Sequence, residues 1–178
     1  GAALRRDVPC QSSKDKASRG KPAPTNSRVR LLVGRDGSVT LESTPVGPPL
    51  AGVPASFKVG IASNPVNSQN VFLCHKTTNR SIFEKAKQSC SDCDDVILFN
   101  ERGEVTESTI ANVVIETGGR KITPPVSCGL LAGTFREHLL DQGEIEERIV
   151  TLDDLRKAEG VFLINSVRKW IPAQLKLL

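Results

Sequence analysis

One lysine in this sequence, Lys76, lies where its amine could do chemistry. Within the stretch FLCHKTTNR it follows the apolar run 71–74 and precedes a polar cluster and an amphipathic segment at 81–87. This pattern predicts a strand that leads into a helix, with Thr77, Thr78 or Asn79 as the N-cap. Burial at the end of a strand disfavours the charged form of a lysine and leaves a nucleophilic amine. Such an amine can form a Schiff base with a carbonyl compound or with pyridoxal phosphate, whereas the alternative is a lysine that reaches into solvent.

Three further stretches carry residues that could complete such a centre. Glu107 lies in a polar segment that we expect to be a turn, and a carboxylate held against a pyridine nitrogen keeps that nitrogen protonated. The segment 129–136 (GLLAGTFR) places glycines, which allow close backbone approach, before a predicted helix start, where a phosphate is favoured. The pair Asn165-Ser166 follows the apolar strand VFLIN and could meet a ligand beyond its end. Taken singly, each of these stretches also fits an ordinary loop or turn.

The elements that must position these residues predict a mixed α/β sheet, with hairpin and crossover connections in an α+β arrangement. A Gly-Arg-Asp-Gly turn at 34–37 predicts a hairpin, and a Thr-Leu-Asp-Asp sequence at 151–154 predicts a helix capping box. Pro172 places the last strand near a sheet edge. The predicted strands are 28–33, 38–42, 57–62, 95–99, 111–116, 121–123, 145–150, 161–165 and 168–177. The predicted helices are 79–89, 134–142 and 152–158.

Composition limits the class of protein. The chain has 178 residues, 38% of them hydrophobic and 25% charged, as is typical of one globular domain. A net charge of +4, six phenylalanines, one tryptophan and no tyrosine argue against a nucleic-acid-binding surface. Because we find no apolar run of membrane-spanning length and no signal peptide, we expect a cytoplasmic protein without a membrane partner.

The five cysteines predict thiols rather than a metal centre. Cys90-Ser-Asp-Cys93 has the spacing of half a zinc site or of a redox pair, but neither a second pair nor a nearby histidine completes it. We therefore expect free thiols in a reducing compartment and no metal site.

In this order, the stretches resemble the class IV aminotransferases, the fold-type-IV pyridoxal-phosphate enzymes, over about residues 28–175. The resemblance implies that Lys76 is the Schiff-base lysine and that Glu107 pairs with the pyridine nitrogen of the cofactor. Asn112 matches the asparagine that accompanies this glutamate in the family. The implied cofactor is pyridoxal 5'-phosphate.

The phosphate side of the implied site shows one departure from the family. Gly133-Thr134-Phe135-Arg136 is similar to a phosphate-binding turn that often reads Gly-Ile-Thr-Arg, so Phe135 replaces a threonine hydroxyl and leaves backbone contacts. Asn165-Ser166 matches the second phosphate-side segment.

Within the family, Lys-Thr-Thr-Asn-Arg and the Asn-Ser pair look more like aminodeoxychorismate lyases than like transaminases. The resemblance implies a lyase of folate biosynthesis that converts 4-amino-4-deoxychorismate to 4-aminobenzoate and pyruvate, acts as a homodimer, and contacts its small-molecule substrate through Arg80. The alternatives are an aminotransferase of the branched-chain or D-amino-acid type, which would use the same residues, and a truncated non-catalytic relative.

The resemblance also divides the chain. We expect a mobile basic linker at 1–27, a remnant of the family's small domain at 28–62, and the large cofactor-binding domain at 63–178. The helix that supplies an arginine to the cofactor phosphate in the family has no counterpart in this sequence. Weaker cofactor binding and little turnover by this chain are therefore expected.

Overall fold

The computed structural model describes residues 26–46 and 56–176, in two compact units that divide between Leu50 and Ala51. The first unit is an antiparallel hairpin of β1 (Asn26–Val33) and β2 (Val39–Val46), as predicted. Its turn is closed by a hydrogen bond from Gly34 N–H to Ser38 O of 2.8 Å. The predicted linker at 1–27 lies almost wholly outside the described residues.

The second unit is built on an eight-stranded mixed sheet. Six of its strands, in the order β5-β4-β3-β10-β9-β6, form a ring, because β5 also pairs with β6. β7 and β8 extend the sheet from β6. The strands are β3 (Phe57–Ile61), β4 (Asp95–Phe99), β5 (Val105–Ser108), β6 (Asn112–Thr117), β7 (Arg120–Thr123), β8 (Glu146–Glu147), β9 (Gly160–Asn165) and β10 (Lys169–Leu175).

Four helices accompany the described sheet: α1 (Val71–Cys74), α2 (Ser81–Lys87), α3 (Thr134–Asp141) and α4 (Leu152–Lys157), with a 3-10 turn at Val126–Cys128. The predicted capping box opens α4. Asp154 N–H donates to Thr151 Oγ1 at 3.1 Å, and Thr151 N–H donates to Asp154 Oδ2 at 2.9 Å. The two reciprocal bonds satisfy amides that a helix start leaves without partners.

Apolar side chains from alternate strand positions fill the sheet's core, as the mixed α/β prediction requires. Val59, Ile97, Val113 and Leu163, from four neighbouring or facing strands, are fully buried in one cluster. A second cluster packs α1 and α2 against the other side of β4. The site therefore rests on strands whose burial fixes their register.

Four expectations about the elements were wrong. Val71–Cys74 is a one-turn helix rather than a strand, because Asn70 Oδ1 accepts the Phe72 amide at 3.0 Å and caps it. Glu107 lies within strand β5 rather than in a turn. The expected strand 145–150 shortens to two residues paired with β7. β10 is not an edge strand, since it pairs with β9 and β3; its ladder with β3 begins only after Pro172.

Two further corrections concern β3 and the cysteines. β3 belongs to the eight-stranded sheet rather than with the hairpin, because it pairs with β4 and β10, and the second unit begins at Ala51 rather than at residue 63. Cys90 and Cys93 form a disulfide rather than free thiols. Among the described residues, Cys74 and Cys128 are free.

Candidate active site

Every residue that the sequence predicted for the site lines one cavity of about 300 Å³ in the second unit. Strand register explains much of this convergence, because Asn112 pairs with Glu107 on one side and with Ile164 on the other. Side chains from three strands, β5, β6 and β9, therefore lie at the same end of the ring. The predicted residues that line the cavity are Lys76, Arg80, Glu107, Asn112, Gly133, Thr134, Phe135, Asn165 and Ser166.

Glu107 is the buried acid of the cavity. Its side chain lies on β5 at 5% exposure, and Oε1 accepts the Leu131 amide at 3.3 Å. Burial raises the pKa of Glu107 to about 8, and this effect outweighs the Leu131 hydrogen bond and the positive charges of Arg80 and Lys76. Near neutral pH the carboxyl group is therefore mostly protonated in the absence of a ligand.

Lys76 reaches the cavity from the irregular segment that follows α1. Its side chain is exposed, so the burial expected of a strand-end lysine is wrong for this chain. The segment is shaped instead by local polar contacts, such as the hydrogen bond from Asn79 N–H to Thr77 Oγ1 at 3.2 Å. The lysine amine is thus open to the cavity and to solvent.

A glycine-rich loop, 129–133, forms the opposite wall. Asn112 Nδ2 donates to Leu131 O at 2.8 Å, while the Leu131 amide donates to Glu107. A Cβ at Gly133 would overlap with Asn112 Oδ1, so a side chain there would displace the asparagine. Gly129 adopts φ 89° and lies against the Ser68 backbone, where a Cβ would come within 2.7 Å of Ser68 Cα. Both glycines are required by close approach.

The start of α3 presents backbone amides to the same cavity. The Glu137 amide is the first to find a partner within the helix, at Gly133 O. The preceding amides of Thr134, Phe135 and Arg136 point out of the helix end, which favours an anion. The Phe135 ring packs edge-on against Trp170, with 6.4 Å between centroids, and so holds the helix start against β10.

Arg136 and the Asn165 turn complete this end of the cavity. The Arg136 side chain is 3% exposed and bonds to Pro124 O and to Glu147, so its charge is already paired. Asn165 Oδ1 accepts the amides of Val167 and Arg168 and shapes the turn that exposes Ser166. A side chain from this turn can approach a ligand.

Sequence reasoning missed how Arg80 is supported. Its guanidinium lies 4.7 Å from the Phe83 ring centroid and donates to Thr109 O. The Thr109 hydroxyl in turn donates to Asp95, a carboxylate only 1% exposed at the start of β4. An aspartate that opens the apolar strand DVILF was the one available signal of this chain of contacts.

Comparison with known proteins identifies the family. The sequence model described as amino-transferase class IV matches residues 13–175. This chain belongs to the class IV aminotransferase family. The family prediction made from the separate motifs is therefore confirmed, and so is the predicted mixed α/β fold of the fold-type-IV enzymes.

Individual class IV relatives carry both lyase and aminotransferase names. A Schizosaccharomyces pombe protein with the provisional name aminodeoxychorismate lyase is 36% identical over 151 residues, 80% of this chain. The aminodeoxychorismate lyase of Saccharomyces cerevisiae is 29% identical over 142 residues, 68% of this chain. The crystal structure of a provisionally named amino-acid aminotransferase from Mesorhizobium loti superposes with a TM-score of 0.77 at 39% identity, over 84% of this chain and 73% of that one.

The chain spans only part of the length of those curated relatives. The match spans 64% of the Schizosaccharomyces protein and 37% of the Saccharomyces protein. Within residues 26–46 and 56–176, no helix is long and apolar enough to cross a membrane.

Proposed function

We propose that the cavity binds pyridoxal 5'-phosphate and that the chain belongs to a lyase that releases 4-aminobenzoate and pyruvate from 4-amino-4-deoxychorismate. The observation that carries the proposal is the convergence of a lysine amine, a buried carboxyl group and a helix start on one cavity. A volume of about 300 Å³ is in the range of small-ligand sites. The donor set fits the cofactor: an amine for its aldehyde, an acid for its ring nitrogen and amides for its phosphate.

Each residue has a separate task in this proposal. Lys76 binds the cofactor aldehyde through its amine. Glu107 meets the ring nitrogen and shares its proton with it, which the raised pKa near 8 makes possible at neutral pH. The amides of Thr134 and Phe135 and the Asn165-Ser166 turn bind the phosphate.

Asn112 has a positioning task, because it holds the loop 129–133 against Glu107. Gly133 leaves the space that this asparagine needs. The two residues thereby fix the distance between the acid and the start of α3.

When bound, pyridoxal phosphate supplies an electron sink for charge that develops next to the substrate nitrogen. With the cofactor bound, the Lys76 amine would be the base that removes the proton from the substrate carbon that bears nitrogen. The electron pair left on the ring completes the aromatic system as the bond from the ring to the enolpyruvyl oxygen breaks, and the enolpyruvate that leaves takes up a proton to become pyruvate. Arg80, half-buried between Phe83 and Thr109, is placed to receive a substrate carboxylate.

A homodimer is part of the proposal. Phe72 and Ile110 line the cavity yet remain 42% and 47% exposed, which is unusual for large apolar side chains beside a polar site. A second copy of the chain that covers these residues would also shield the cavity from water. Size-exclusion chromatography with light scattering distinguishes a dimer from a monomer.

An amino-acid aminotransferase is the second candidate, supported by the 39% identity to the Mesorhizobium structure. It would use the same lysine and acid, but the proton would be returned to a carbon of the cofactor. Assays of one preparation with 4-amino-4-deoxychorismate and with amino acids plus 2-oxoglutarate separate the two. We expect 4-aminobenzoate and pyruvate in equal amounts; amino transfer without 4-aminobenzoate would favour the second candidate.

The cofactor proposal has its own test. Protein mixed with pyridoxal phosphate should gain absorbance in the near ultraviolet and visible range, and borohydride should fix the cofactor to Lys76. Lys76→Ala should abolish this adduct, whereas Lys85→Ala, which removes an exposed lysine of α2, should retain it. An adduct that mass spectrometry locates on Lys58 or Lys85 would exclude the assignment.

A further inference from the structure

The loop between α2 and β4 contains a feature that the proposed chemistry does not use. Cys90 and Cys93 form a disulfide there, with Cα atoms 5.4 Å apart. The two half-cystines are 9% and 7% exposed, while neighbouring residues of the loop, Ser91 and Asp92, are exposed. The bond is thus shallowly buried beneath a surface loop.

Strand β3 is shaped to accept this pair. A Cβ at Gly60 would lie 2.8 Å from Cys90 Cβ and 3.1 Å from the sulfur atoms of both Cys90 and Cys93. Any larger residue at position 60 would push the loop outward. Glycine is therefore the residue that lets the sulfur atoms pack against the sheet.

The bonds within the loop fit a disulfide rather than a metal site. Sulfur and carboxylate atoms of Cys90, Asp92 and Cys93 lie within 4.8 Å of one another. The two sulfur atoms are bonded to each other, however, and Asp92 is paired with Lys58 at 2.8 Å and Lys176 at 2.9 Å. The loop therefore holds a sulfur–sulfur bond and an ion pair rather than free ligand atoms, and the Asp92 carboxylate lies 3.4 Å from Cys90 Sγ.

The pair also packs into a wall of the cavity. Both cysteines belong to the apolar cluster that contains Leu73 and Phe83, and these two residues line the cavity. Lys87, in the last turn of α2, donates to Cys93 O at 2.8 Å. The disulfide therefore holds the C-terminal end of the helix whose other end carries Arg80.

We propose that Cys90 and Cys93 form a reversible thiol–disulfide exchange site that sets the local stability of α2. Two equivalents of an external thiol reduce the bond, which yields two cysteine thiols and one external disulfide. The external thiol supplies both electrons and both protons. A low-molecular-weight disulfide reverses the reaction. The site acts without the cofactor, so it stands apart from the proposed lyase activity.

Residue-resolved alkylation tests the site. The protein is first equilibrated with oxidised glutathione and then treated with N-ethylmaleimide, with or without prior dithiothreitol under native conditions. Cys74, which is exposed, should carry glutathione in the oxidised sample and N-ethylmaleimide after dithiothreitol, and buried Cys128 should carry neither. Cys90 and Cys93 should be modified only after dithiothreitol. Their modification in the oxidised sample, or their resistance to dithiothreitol in the folded protein, would overturn the proposal.

Amide hydrogen exchange tests the effect on α2. A disulfide that closes so short a loop restricts local opening of residues 90–93 about 20-fold by chain entropy. α2 amides, whose last turn is bonded to Cys93 O through Lys87, should therefore exchange faster after reduction, by at most about 20-fold. Amides of α4 should be unchanged. Cys93→Ser should exchange like the reduced protein whatever the redox condition. Equal α2 exchange in the oxidised and reduced proteins would refute the role of the bond.

Discussion

Replacement of Glu107 by glutamine should change how the stability of the cofactor-free chain depends on pH. In the folded protein the pKa of Glu107 is about 8, against an ordinary value of 4.5. Between these two values the unfolded chain has lost a proton that the folded chain retains. The free energy of unfolding of the wild type therefore falls as the pH rises, by about 1.4 kcal/mol per pH unit from this group.

The full effect is large compared with the stability of a domain. Over the interval from pH 4.5 to 8 it amounts to about 5 kcal/mol, and it levels off above pH 8. Glu107→Gln cannot ionise and lacks this loss. The free energy of unfolding of the variant, relative to that of the wild type, should rise steadily from pH 5 to pH 7.5. This holds even if the variant is less stable at pH 5 because glutamine fits the Leu131 amide less well.

Urea unfolding followed by circular dichroism, at half-unit steps from pH 5 to pH 7.5, measures the difference. Glu144→Gln, which removes an exposed carboxylate outside the cavity, serves as the control and should run parallel to the wild type. The same parallel course for Glu107→Gln would mean that burial does not hold a proton on this group. The proposed exchange of that proton with a ring nitrogen would then lose its basis.

Two further substitutions test the loop and a helix start. Gly133→Ala should weaken pyridoxal phosphate binding about 5- to 150-fold, since overpacking against Asn112 costs about 1–3 kcal/mol; cofactor titration measures this. Gly160→Ala, whose new methyl group would meet side-chain atoms of Phe162 and Glu116 away from the cavity, is its control, and equal affinity in both variants would refute the reasoning. Thr151→Ala should lose about 1 kcal/mol of stability, or about 2–4 °C in thermal denaturation, without a change in cofactor binding. An unchanged melting temperature would show that the capping box contributes nothing.

Local sequence pattern was sufficient where local forces decide the structure. The apolar run DVILF became β4, and the Thr151–Asp154 box opened α4, because burial and capping act over a few residues. The pattern failed at β5, where Thr106, Glu107 and Ser108 are polar yet buried. That strand forms because it pairs with β4 and β6, and its own residues give no sequence signal of this pairing.

The residues of the site could be predicted from the sequence, but several contacts that position them could not. Separate motifs around Lys76, Glu107 and Gly133 indicated one cavity through their resemblance to a family. The predicted burial of Lys76 was wrong. Asn70 caps a short helix where a strand was expected, and the lysine side chain is exposed. The contacts from Asp95 through Thr109 to Arg80 join residues distant in sequence, and no spacing rule reveals them.

The position of β10 has a consequence for how the protein is made. β10 lies between β9 and β3, so the last strand of the ring joins the first. During synthesis, β3 and β9 each keep one unpaired edge until the residues of β10, up to Leu175, have left the ribosome. Ring closure is then a late event that depends on contacts between distant parts of the chain, which is the slow kind of folding. A ribosome stalled before Lys169 would hold a chain with two unpaired strand edges, which are prone to aggregation.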